Sequence, residues 1–130
     1  MERDSNGRIE LDIAVVWRGS DGVIRIDFKP SSKHDLEDAR CIVSAHNRLA
    51  EGVPCPVLAD ITQVSVGADR AARQYYVSEE SSRLKTGMAM VTQSPLQQML
   101  GNFFFRMNRP PYPTRMFRET DAALAWLASL

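Results

Sequence analysis

The chain has 130 residues, the length of one domain, and 44% of them are hydrophobic, an ordinary globular composition. Its 16 basic and 16 acidic residues give a formal net charge of zero, so nothing global points to nucleic acid. No apolar run approaches the roughly 18 residues of a membrane span, and the charged start "MERDSNGR" has no apolar core of the signal-peptide kind. Cys41 and Cys55 lack metal-like spacing, so a cytoplasmic protein with reduced thiols is expected.

"IELDIAVVW" alternates, with Ile9, Leu11, Ile13, Val15 and Trp17 on one face and Glu10 and Asp12 on the other. That period of two predicts one half-buried strand. Asp21-Gly22 is a hairpin signal, and "VIRIDF" returns with Ile24, Ile26 and Phe28 facing in. Pro30, Ser31 and Ser32 break the strand. Residues 35–51 then show helical spacing through Leu36, Ala39, Val43 and Ala50, with Asp35, Glu37 and Asp38 suiting the helix dipole. Gly52 and Pro54 end that helix. "PVLADI" reads as a buried central strand, "ADRAARQYYVSEESSRL" as a second helix and "GMAMVT" as another buried strand. Ser94 is the cap of a third helix, with Pro95 in its first turn. Leu96, Met99, Leu100, Phe103 and Met107 give this helix a stripe that should be buried. "RPPYP" stops it, "TRMFR" is a last strand, and 119–130 form a closing helix with Leu124, Trp126 and Leu127.

The order is β-β-α-β-α-β-α-β-α, an α/β domain over residues 1–130 with a five-stranded, mostly parallel mixed sheet and four helices. At this length the order resembles the STAS domain of anti-sigma-factor antagonists, the SpoIIAA-like fold. Within 54–130, "ARQYYVSEESSRL", "SPLQQMLGNFFFRMNRPPYPTRMF" and "DAALAWL" resemble a bacterial family of small lone STAS-like proteins of uncharacterised function. The resemblance implies the fold and little about activity.

In those antagonists a serine that follows an aspartate at the end of the third strand is phosphorylated by a partner kinase. Asp60 matches the aspartate, but Ile61 follows it, and Thr62 and Ser65 lie in a longer loop. The resemblance therefore implies a regulatory-loop analogue without obligatory phosphorylation, and the best-placed site for a small anion. The competing reading makes Asp60 a strand stop and Ser65 or Asp69 a helix cap.

His46 lies by the apolar face of the first helix with no second ligand near in sequence, so it reads as a boundary histidine, and no metal or other cofactor is expected. No nucleophile motif, P-loop or dinucleotide fingerprint appears, so no catalytic residue is assigned and no enzyme is expected. From residue 81 to 118 there is no acidic residue, while six cations occur. In that segment Phe104 and Phe105 point about 100° and 200° away from Phe103 on an ideal helix, so the three cannot share one core. Phe104 and Phe105, rimmed by Arg106 and Arg109, are candidates for a self-association surface or the mouth of a lipophilic pocket. Salt bridging to the acidic first half is the plain alternative for the arginines. On the second helix Arg73 and either Tyr75 or Tyr76 are candidates for a protein contact, with one tyrosine facing in and the other out.

The expectation is a non-enzymatic STAS-like interaction or ligand-binding module. A homodimer is favoured over a carrier of a small lipophilic or anionic ligand, because so short a chain leaves little interior for both a core and a cavity. A distant likeness of the family to CRAL-TRIO lipid-transfer domains adds weight to the carrier alternative by analogy.

Overall fold

The structure, a computed structural model, describes residues 2–3 and 7–130. Seven strands run in sequence order across one sheet: β1 (Glu2–Arg3), β2 (Ile9–Glu10), β3 (Ala14–Arg18), β4 (Ile24–Phe28), β5 (Cys55–Asp60), β6 (Lys85–Val91) and β7 (Thr114–Phe117). The helices are α1 (Leu36–Ala50), α2 (Arg70–Tyr76), α3 (Glu79–Ser82), α4 (Pro95–Met107) and α5 (Thr120–Ala128). The pairs from β1 to β4 are antiparallel, and those from β4 to β7 are parallel. The five expected strands are thus present, the first divided between β2 and β3 and the others as β4 to β7, with the short β1 added at the edge.

Two expectations fail locally. The run from Ile9 to Trp17 is not one strand. It folds back after Glu10, with Ile9 opposite Val16 and the Leu11 amide donating to the Ala14 carbonyl at 2.8 Å. The turn shifts the alternation by one residue, which exchanges the faces. Ala14 and Val16 are buried, and Val15 and Trp17 point the other way. There the Trp17 ring lies between Arg8 and Arg25, at 4.5 Å and 4.9 Å, and its indole N–H donates to Asp27 at 2.7 Å.

The second helix is also interrupted, into α2 and α3. The Ser78 hydroxyl donates to the Tyr75 carbonyl at 2.6 Å and accepts from the Ser81 amide at 3.3 Å, ending one helix and capping the next. Elsewhere the local signals hold. Gly22 takes a φ of 82° in the hairpin, Asp35 and Asp38 form a capping box on α1, and Ser94 caps α4 with Pro95 in its first turn.

The sheet has two differently covered faces. α1 packs on β3 and β4 around Ile9, Val16, Ile24, Ile42 and Val57. α5 packs on β5, β6 and β7 around Leu58, Ala89, Val91 and Leu127.

Candidate functional site

α4 does not complete the core. None of its side chains is buried, and Leu96, Met99, Leu100, Phe103 and Met107 are between 56% and 69% exposed. The expected buried stripe is therefore open, because helical spacing records which face is apolar and not how closely that face approaches a sheet. α4 meets β7 at Gly101, where an added Cβ would lie 2.9 Å from the Met116 sulfur. Away from that contact a cleft of about 990 Å³ opens, with α4 as one wall and α1, α2 and the sheet as the others. Leu96, Leu100, Phe103 and Met107 line it, and Met99 does not. Opposite them stand Met88, Met90 and Met116 from the strands and Ile42 and Val43 from α1.

Polar groups gather at both ends. Where β6 begins, Lys85 is 8% exposed and its ammonium donates to the Ser81 carbonyl. Burial lowers its pKa to about 8. His46 is fully buried on α1, and its Nδ1 lies 2.9 Å from Asn47 Oδ1 while Nε2 has no partner. Burial, and then the Lys85 charge, lower its pKa to about 4. Where β6 stops, the Thr92 hydroxyl bonds the Gln97 side-chain oxygen. On the flank the His34 Nε2 meets the Tyr76 hydroxyl at 2.6 Å, and burial lowers the His34 pKa. Burial also pushes Tyr112, another lining residue, up to about 12.

The anticipated site residues fall in three places. In the loop after β5, the Thr62 amide and hydroxyl both donate to Asp60 Oδ1, at 2.9 Å and 2.7 Å. The Ser65 hydroxyl donates to the Ser31 carbonyl at 3.4 Å, and Asp69 rather than Ser65 caps α2. No hydrogen bond joins His46, Asp60 and Ser65 to one another. Tyr76 faces the cleft, whereas Tyr75 packs with Arg40 at 6.0 Å. Arg73 donates to the Ala68 carbonyl at 2.6 Å and lies 5.9 Å from the Phe104 ring, bridging α2 to α4 across the cleft. Phe104 and Phe105 pack edge to face at 5.8 Å and are half-buried linings, while Phe103, expected in the core, is 57% exposed. Arg106 and Arg109 are exposed and pair with no carboxylate among the described residues.

Sequence reasoning passed over Lys85, Ser81 and His34. A lysine separated only by Thr86 from the apolar run "GMAMV" was the visible signal for the first. Among the described residues no cluster of His, Cys, Asp and Glu could hold a metal ion, and no helix is long and apolar enough to cross a membrane.

The architecture is similar to that of an uncharacterised DUF3478-family protein with a SpoIIAA-like fold from Shewanella loihica PV-4. The TM-score is 0.64, at 19% identity over 98% of each chain. A protein of unknown function from Arthrobacter sp. FB24 is 28% identical, with 88% of this chain and 99% of that chain covered and a TM-score of 0.31. No curated protein matches significantly. The fold is the SpoIIAA-like α/β fold that the sequence resemblance implied. The family described as Domain of unknown function (DUF7793) matches residues 16–130, and the chain belongs to that family.

Proposed function

We propose that the protein is a non-enzymatic binding module that holds one lipophilic small molecule in the cleft beneath α4. The observation that carries this reading is the cleft itself. Its volume of about 990 Å³ matches small-molecule sites, and its walls are apolar with a few polar groups at the ends. Covering one large apolar side chain is favourable by roughly 1.5–3 kcal/mol, so Leu100 and Phe103 leave a clear driving force for an occupant.

A second copy of the chain, the occupant favoured from sequence, is the competing reading. That preference rested on a lack of interior volume, yet α4 adds no buried residue to the core and the space lies beneath it. The stripe is also one wall of a concavity, a shape that suits a small molecule better than a second helix surface. Catalysis is the less favoured reading, because neither ring nitrogen of His46 is hydrogen-bonded to a hydroxyl that it could activate.

The neutral dye N-phenyl-1-naphthylamine tests this, with fluorescence and light scattering read together. Saturable uptake of one dye per chain at the monomer mass is expected. Absence of uptake together with a doubled mass would replace the ligand by a second copy.

A further inference from the structure

We propose that His46, Ser81 and Lys85 form a head-group site for a carboxyl group, so that the ligand is a single-chain amphiphilic acid lying along the cleft. This rests on the cleft reading above. Three observations carry it.

Lys85 is a buried cation, and among the described residues no carboxylate pairs with it. Its partners are the Ser81 carbonyl and, at 3.5 Å, the Ser81 hydroxyl. Buried lysines are ordinarily matched by an opposite charge. His46 Nε2 has no hydrogen-bond partner among the described residues, on a fully buried side chain that lines the same cleft. Leaving such a buried atom unpaired is unfavourable, and a ligand group that pairs with it relieves that cost. The third observation is the spacing of the polar ends. Lys85 opens β6 and Thr92 follows it, so the seven-residue strand separates them by roughly 20 Å at strand rise. Met88, Met90 and Met116 line the stretch between, which suits a chain rather than a compact polar molecule.

The hydrogen-bonding roles select the head group. With Nδ1–H donating to Asn47 Oδ1, Nε2 is an acceptor. The head must therefore bring a donor for Nε2 and an acceptor for the Lys85 ammonium. A carboxyl group brings both, with its single proton on the bridge to Nε2 and its other oxygen toward Lys85. At neutral pH the free acid is a carboxylate, so binding takes up one proton from solution. That proton is shared between one carboxyl oxygen and Nε2, and the negative charge of the head group faces the Lys85 ammonium. A long-chain alcohol leaves Lys85 without a charge partner, and a methyl ester has no donor for Nε2.

The test compares dodecanoic acid with methyl dodecanoate at neutral pH, each displacing N-phenyl-1-naphthylamine. On the unaltered protein the acid should displace the dye at a concentration at least about tenfold lower, the worth of one charge-assisted hydrogen bond. In Lys85→Met, which keeps the length of the stem, the acid-to-ester ratio should fall to about one, with folding checked by melting. Equal displacement on the unaltered protein, or a preference that survives in Lys85→Met, overturns the head-group site and leaves the cleft reading standing. Failure of the cleft reading shows separately, as no dye uptake at all.

Discussion

A neutral imidazole buried on α1 ties stability to acidity. The His46 pKa falls from 6.5 to about 4 on folding, first through burial and then through the Lys85 charge. The unfolded chain therefore takes up this proton before the folded chain does. The stabilising contribution is complete above about pH 6.5, declines as pH falls through the window to about 4, and is flat below. Its size is on the order of 3 kcal/mol. Urea unfolding at pH 7 and pH 4.5 checks it: His46→Leu should lose less stability between the two than the unaltered protein does. Asp60 has a smaller, local job as acceptor for Thr62. Asp60→Ala should lower stability by about 1 kcal/mol in thermal melting with dye uptake unchanged. At this scale the sequence was partly legible. Asp60 as a strand stop and Asp69 as a cap follow from residue type alone. The partner of Lys85 does not, because Ser81 reaches it only through the break at Ser78.

Helix α4 has the right pattern in an unexpected setting. Its cap, its proline and its apolar stripe are all in the sequence, yet the stripe faces a cleft instead of the core. Spacing gives the face, and the contact of Gly101 with Met116 brings the helix close to β7 at that point. Leu100→Asp should therefore melt within a few degrees of the unaltered protein, since exposed positions contribute about 0.5 kcal/mol or less, while dye uptake is lost. Phe104→Ser and Phe105→Ser should also stay folded and weaken uptake, Phe104 more strongly because Arg73 lies over its ring. Unfolding at either position would return that phenylalanine to the core. The hairpin correction has a similar physical origin. Alternation continues in sequence across the turn at Asp12 and Ile13, so nothing in the pattern marks the point where Val15 and Trp17 change face.

Over the whole molecule, the opening hairpin and the parallel run of the later strands were legible because turn signals and right-handed crossovers leave few choices. The cleft was not, because it depends on how far a helix stands from a sheet that local patterning does not measure. The split between a packed core on α1 and α5 and an open space beneath α4 makes one sharp expectation, and the methionines report it. Met88, Met90 and Met116 line the cleft, and Met99 sits on the other side of α4's exposed stripe without lining it. With 13C-labelled methionine methyl groups, addition of dodecanoic acid should shift the signals of Met88, Met90 and Met116 in slow or intermediate exchange and leave Met99 nearly in place. Unchanged signals at all three lining residues, or a shift at Met99 as large as theirs, would contradict a ligand held beneath α4.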